Sequence, residues 1–263
     1  MHKTLRIGVL NLMHDKEATQ EHFTKRLQEA CQNVEVTYFY PTMHYANRPV
    51  PAAVQAIAQP LDLDLVAEMD GFIVTGAPLE QKDFTEITYW DELVELFDFL
   101  SARHIEQLYV CWGAMAAANY FYNIEKDRLP QKVFGVYQNK ILQSTALTEG
   151  LSFGFKAPHA RYADLNVAQI MEEPDLTLTG ISQNGHVFSF EALEQQTFLL
   201  AHLEYQAGAL EAEYQREKAA FPNRDIAQPE NVQTSWEETS RIFYRNWLEK
   251  VAHQVAEKEL CYE

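Results

Sequence analysis

Cys111 stands where a short apolar run, Gln107-Leu-Tyr-Val110, breaks into Trp112-Gly-Ala114, the pattern of a strand that turns sharply into a helix with a thiol at the corner. A thiol there can do nucleophilic chemistry. The attacking species is the thiolate, and an ordinary cysteine with a pKa of about 8.5 is mostly protonated at neutral pH, so a base must take its proton. A second apolar run, Thr197-Phe-Leu-Leu-Ala201, ends in His202-x-Glu204, which supplies an imidazole and a carboxylate to orient it. The helix N-terminus adds a partial positive charge and unpaired N–H groups that favour an anion. Cys111 as nucleophile, His202 as base and Glu204 as orienting partner describe an acyl-transfer site.

Each residue also has an ordinary explanation. A lone cysteine is most often buried packing, a histidine at a strand end is often simply satisfied, and a glutamate two residues on suits the first turn of a helix. What separates the two accounts is position, because both motifs fall at the carboxyl ends of candidate parallel strands, where open α/β sheets place their sites.

The 263 residues suit one compact domain spanning 1–263, and 47% hydrophobic content is enough for a sizeable core. A net charge of −17 leaves no basic face for nucleic acid or an anionic membrane. An anionic substrate would need a few local cations, with Lys16, Lys132, Arg161 and Arg216 as candidates. Cys31, Cys111 and Cys261 form neither a disulfide framework nor a metal-ligand pattern, so no metal is expected and a reducing compartment is. The N-terminus runs from Met1 straight into a strand without a signal-type apolar core, and no apolar run nears membrane-spanning length. The expectation is a cytoplasmic protein acting on small molecules.

The elements that must position these residues alternate. Strands are predicted at Leu5 to Asn11, Val34 to Tyr40, Phe72 to Thr75 and the run before Cys111, with amphipathic helices at Glu17 to Cys31 and Asp91 to Arg103. This βαβ alternation predicts a mostly parallel sheet flanked by helices. Gln183-Asn-Gly185 predicts a hairpin between Leu176–Ser182 and Val187–Phe190. Ala207 to Ala220 reads as a helix, Phe221 to Pro229 as a loop, and Ser235-x-x-Glu238 as a capping box opening a long C-terminal helix. From Val133 to Val187 strands and loops cannot be ordered by pattern, and Lys132 sits in an exposed-looking Pro-Gln-Lys loop.

Taken in order, Asn11-Leu-Met13 with Lys16, Val74-Thr-Gly-Ala-Pro78, Tyr89-Trp90, Cys111-Trp-Gly-Ala114, Phe134-Gly-Val136, Ala157-Pro-His159, His202-x-Glu-Tyr205 and Phe221-Pro-Asn223 resemble the homoserine O-acyltransferases of methionine biosynthesis. The resemblance runs nearly end to end. It implies an α/β single domain of the class I glutamine amidotransferase-like, flavodoxin-like type, no bound cofactor, and acetyl-CoA as co-substrate. It further implies a cysteine thioester formed from an acyl-CoA and then attacked by an amino acid hydroxyl. By position it carries Cys111, His202 and Glu204 into the roles already assigned. It also implies that Lys16 and the N–H of Trp112 lie near the acyl oxygen, that Lys132 and Arg216 lie near the amino acid substrate, and that the chain forms a homodimer.

In the same family the position of Glu80 sorts acyl donors, glutamate going with acetyl and glycine with succinyl. A carboxylate there fills space and repels a succinyl carboxylate. Two departures touch the site: Ala160 replaces the usual serine after Ala-Pro-His, and Leu203 replaces a usual proline. The chain also begins close to its first strand, whereas typical members carry an N-terminal extension. The acceptor therefore stays open between L-homoserine and L-serine. Homoserine O-succinyltransferase, a glutaminase or amidotransferase-type cysteine hydrolase, and a non-catalytic protein of the same fold are the alternatives.

Overall fold

A computed structural model describes residues 4–192 and 195–261, with the Cys261 side chain outside the described set, so the expected separation of Cys261 from the other cysteines lies outside the described residues. The chain begins with β1 (Leu5–Leu10), α1 (Lys16–Ala30), β2 (Val34–Tyr40), α2 (Ala52–Ile57), the two-residue β3 (Gln59–Pro60), α3 (Leu63–Val66), β4 (Gly71–Val74), α4 (Trp90–Ala102), β5 (Glu106–Val110) and α5 (Trp112–Tyr122). It continues with β6 (Lys126–Ile141), β7 (Lys156–Leu165), α6 (Val167–Glu172), β8 (Leu176–Ser182), β9 (Val187–Ala192), β10 (Gln196–Leu199), α7 (Ala209–Ala220) and α8 (Glu237–Cys261).

All the strands join one sheet in the order β3-β2-β1-β4-β5-β10-β9-β8-β6-β7. From β3 to β10 every pairing is parallel, and from β10 to β7 every pairing is antiparallel. The last strand of the chain's sheet thus inserts beside β5, with Val110 opposite Leu199. That pairing brings the ends of two distant strands together.

The parallel half forms because its strands are apolar on both faces. β4 and β5 are buried throughout, as expected for strands covered by helices on both sides. On one face Phe23 and Leu27 of α1 pack with Phe243, Trp247 and Val251 of α8; on the other, Leu96 and Phe97 of α4 pack with Met115 and Ala116 of α5. Trp247 is fully buried, and truncating such a side chain to alanine costs about 3–5 kcal/mol. The N-terminus of α1 is capped by Asp15, which accepts the Ala18 N–H at 3.1 Å.

The sequence expectations for β1, α1, β2, β4, α4 and β8 are met to within a residue or two at their ends. The region that patterning could not order is a long antiparallel pair, β6 against β7, whose register shifts between Arg128 and Val133. Lys132 lies in that irregular stretch of β6 and not in an exposed loop. The capping box expected at Ser235 is only half made: Ser235 Oγ takes the Glu237 N–H at 3.4 Å, but the Glu238 carboxylate pairs with Arg241. Among the described residues no helix is long and apolar enough to cross a membrane.

Candidate active site

The corner at Cys111 is a strained one. Its φ of 49° and ψ of −111° place a non-glycine residue in a region that costs on the order of 1–3 kcal/mol, and the surroundings hold it there. The Cys111 N–H donates to the Leu199 carbonyl at 2.7 Å, while its carbonyl accepts the Met115 N–H at 3.0 Å. The bend also brings α5 so close to β4 that a Cβ at Gly113 would stand 2.7 Å from the Val74 and Thr75 carbonyl oxygens. Only glycine fits. Trp112 is the first residue of α5, where helix geometry leaves the backbone N–H without an intrahelical acceptor.

His202 arrives from the other side, three residues past the end of β10. Its N–H donates to the Pro158 carbonyl of β7 at 2.8 Å. Its Nδ1 lies 2.7 Å from Glu204 Oε1, and because a carboxylate only accepts, that contact makes Nδ1 the protonated nitrogen. Nε2 is then left to face the thiol, and Cys111 acts on the same imidazole to favour its protonated form. Gly76 sits between them; a Cβ there would be 3.2 Å from Cys111 Cβ and 3.5 Å from His202 Cε1. Burial works against protonating His202, yet Glu204 and Cys111 together raise its pKa well above that of free histidine.

The loop that carries His202 and Glu204 is tied down by groups that sequence patterning did not single out. The Tyr205 carbonyl accepts from Arg26 of α1 at 2.8 Å and from the Trp236 indole at 3.0 Å. Ser240 Oγ donates to the Leu203 carbonyl at 2.6 Å. The Tyr205 ring stacks on His202 with centroids 4.4 Å apart. Leu203, where the family resemblance implies proline, is fully buried and packs into the core.

Cys111 and His202 line a cavity of about 480 Å³. Its wall brings together Glu80, Lys132, Ala160 and Arg216, four of the residues expected at the site, along with Tyr162, Glu213 and Glu217. Lys132 is buried rather than solvated: it contacts Glu213 at 2.5 Å and Glu217 at 2.8 Å, and its ammonium lies 4.0 Å from the Phe134 ring centroid. Burial alone would lower its pKa, and the two carboxylates raise it instead. Tyr205 and Tyr162 donate to the same two carboxylates. Glu213 and Glu217 were not anticipated, although Glu213-x-x-Arg216-Glu217 puts three charges on one face of α7, a polar stripe that hinted at a site.

Arg216 is half-buried and lines the cavity, and among the described residues no ion pair engages its guanidinium, which leaves it available to an anion. Glu80 is almost wholly buried in the loop after β4, and that burial raises its carboxyl pKa against the lowering by its own backbone N–H and Lys132. Ala160, on β7 opposite Phe134, presents a methyl group where a hydroxyl was the family pattern.

Two of the expected cations are placed elsewhere. Lys16 folds back on the carbonyls of Asn11 at 2.6 Å and Met13 at 3.1 Å, and burial lowers its pKa to about 8; it is not among the cavity-lining residues, whereas Met13 and His14 are. Arg161, read from composition as a local cation for substrate, is fully buried and committed inward. It pairs with Asp164 at 3.0 Å, donates to His159 at 2.6 Å and to the Val187 and Leu200 carbonyls. Its neighbour Ala160 faces the cavity, and strand alternation turns Arg161 to the opposite side.

Comparisons with known proteins bear on this geometry. The family model for homoserine O-succinyltransferase matches residues 2–257. A serine O-acetyltransferase from Lactobacillus acidophilus is 46% identical over 95% of this chain and 97% of its own length. A homoserine O-acetyltransferase from Geobacillus kaustophilus is 31% identical over 96% of this chain and 87% of its own length. Among solved structures, a glutamine amidotransferase from Thermotoga maritima superposes with a TM-score of 0.69 at 12% identity, over 95% of this chain and 99% of that one, which is a likeness of fold.

Proposed function

The chain belongs to the homoserine O-succinyltransferase family, and from that premise we propose that it moves an acetyl group from acetyl-CoA, through a thioester on Cys111, to the side-chain hydroxyl of L-serine. The observation that carries this reading is that Cys111 and His202, the latter held by Glu204 from behind, line a cavity whose wall also holds Arg216. In the first step Cys111 Sγ attacks the acetyl carbonyl carbon. The bond to the CoA sulfur breaks, and CoA leaves as its thiol with the proton His202 took from Cys111. In the second, His202 accepts the serine hydroxyl proton as the hydroxyl oxygen attacks the thioester, and Cys111 leaves with that proton restored. The free N–H of Trp112 faces the oxyanion that develops in each step.

Acetyl as the group transferred is supported by Glu80, a buried side chain lining the wall that a donor with a terminal carboxylate would meet. Arg216 holds the acceptor carboxylate in this reading. Serine as acceptor is supported by Ala160 and by the 46% identity to a relative named for serine acetylation. L-Homoserine is the second reading, favoured by the family model and by the relatives named for it.

The test is to incubate the protein with acetyl-CoA and, separately, L-serine, L-homoserine, L-threonine and glutamine, and to follow free thiol release. Release with serine well above the others is the expected result. Ammonia from glutamine without any need for acetyl-CoA would overturn the reading.

A further inference from the structure

The cavity changes character along its length. Cys111 and His202 at one end are 2% and 3% exposed, whereas Lys82, Phe221 and Arg224, which line it too, stand at the surface. Phe221 belongs to the Phe221-Pro-Asn223 motif, which the catalytic roles leave unused. The residue is 49% exposed, and the Arg224 guanidinium lies over its ring, 4.7 Å from the centroid. Among the described residues no ion pair engages Lys82 or Arg224, in contrast to Lys132 deeper in the wall, which holds two carboxylates.

Two further cations come to the same loop. Arg128 donates to the Gln81 carbonyl at 2.6 Å and Lys126 donates to the Lys82 carbonyl, so both bring positive charge beside Lys82. Four acidic groups stand near these cations. Glu80 is buried, Glu217 feels Arg224 but is bonded to Lys132, and Asp83 and Glu86 lie toward Lys126. On a chain of net charge −17, this rim gathers cations and a half-exposed aromatic residue along the surface side of the cavity that holds the buried thiol.

We infer that this rim binds the nucleotide end of the acyl donor: Lys82 and Arg224, with Lys126 and Arg128 beside them, take the phosphates, and the adenine ring lies against Phe221. The inference rests on the acetyl-CoA reading above. A thioester delivered to Cys111 leaves the pantetheine arm running out along the cavity. Phosphates are too costly to bury without paired cations, so they stay at the opening, where guanidinium and ammonium groups can bond them. The adenine face suits an exposed ring already capped by a guanidinium.

The experiment compares two donors, acetyl-CoA and S-acetyl-N-acetylcysteamine, which presents the same thioester without phosphates or adenine. In the Lys82→Ala/Arg224→Ala double variant, KM for acetyl-CoA should rise at least about tenfold, and the preference for acetyl-CoA over the short thioester should fall by the same factor. Phe221→Ala should lower that preference by a smaller factor. Adenosine 3′,5′-bisphosphate should compete with acetyl-CoA on the unmodified protein and lose its grip on the double variant. Lys140→Ala, an exposed lysine of β6 outside the cavity lining, should match the unmodified protein. Equal losses on both donors, or an unchanged KM for acetyl-CoA, would overturn the rim site and leave the donor reading standing. Failure of the unmodified protein to become acetylated by either donor would overturn the donor reading and the rim site together.

Discussion

The parallel and antiparallel halves of the sheet meet at β10, and they contribute differently to the cavity between them. The parallel half delivers the groups proposed to react, at its carboxyl edge: Cys111 after β5 and His202 and Glu204 after β10, with the Gly76 to Lys82 loop after β4. The antiparallel half delivers none of the reacting atoms. It supplies Lys132 from β6, Ala160 and Tyr162 from β7, and the Pro158 carbonyl that holds the His202 backbone. Its Arg161 and Asp164 pair with each other; Arg161 also donates to the Val187 and Leu200 carbonyls, and Asp164 accepts from the Leu165 and Val187 N–H groups, while Arg161 Nε is left without a partner. The contrast teaches that the proposed reacting atoms come from one half alone, whereas selectivity draws on both, through Glu80 after β4 and Ala160 on β7, so substitutions in the two halves should fail in different ways.

The sharpest separation should come from Glu204→Gln. Without the carboxylate the imidazole loses its orienting partner, and turnover should fall by about 10²- to 10⁴-fold with the circular dichroism spectrum retained. The pH profile moves too. Breakdown of the thioester requires neutral His202, and the Glu204 carboxylate, the largest of the causes that raise its pKa, still faces it once Cys111 is acylated, so the rate should climb with pH through a midpoint set by that imidazole. Removing the Glu204 charge should bring that midpoint to lower pH. A profile that stays put would contradict the pairing.

Asp164→Asn probes the antiparallel half by stability. It strands a fully buried Arg161 without its counter-charge, which should cost about 3–5 kcal/mol and lower the Tm measurably. Burial would raise the Asp164 pKa, but Arg161 and His186 hold it below the ordinary value. The stabilisation is therefore present above the ordinary aspartate pKa of about 3.9 and is lost as pH falls through the lower folded value. The variant should lack that acid-side loss in thermal melts.

Smaller effects should follow in selectivity. Glu80→Gly removes a buried side chain from the donor end of the cavity, and the ratio of succinyl- to acetyl-CoA use should rise by about tenfold or more. An unchanged ratio would detach Glu80 from donor choice. Ala160→Ser restores a hydroxyl to the β7 wall and should shift kcat/KM toward L-homoserine by a few-fold to about tenfold, through KM more than kcat. If kcat falls instead, the antiparallel wall takes part in the chemistry and the division between the halves is too simple.

The same division explains what could be read without coordinates. Strands such as Phe72-Ile-Val and Leu108-Tyr-Val are continuous apolar runs, and the stripe Leu93, Leu96, Phe97, Leu100 has helical spacing, so the parallel half and its thiol corner were legible. β6 was not, because Lys126-Asp-Arg-Leu-Pro-Gln-Lys132 is polar, contains proline and shifts register, with no period to mark a strand. The burial of Arg161 and Lys132 is not legible in the sequence, and for one reason. Burial of a charge depends on partners far away in sequence, Glu213 and Glu217 for Lys132 and the Val187 and Leu200 carbonyls for Arg161, and no local pattern announces them.

The central claim is that Cys111 becomes acylated, and intact-mass measurement after exposure to acetyl-CoA with no acceptor tests it most directly. One acetyl adduct, mapped to Cys111, absent in Cys111→Ala and discharged on adding L-serine, is the result predicted here. An unmodified thiol after prolonged exposure, or an adduct that forms equally well in Cys111→Ala, would contradict it.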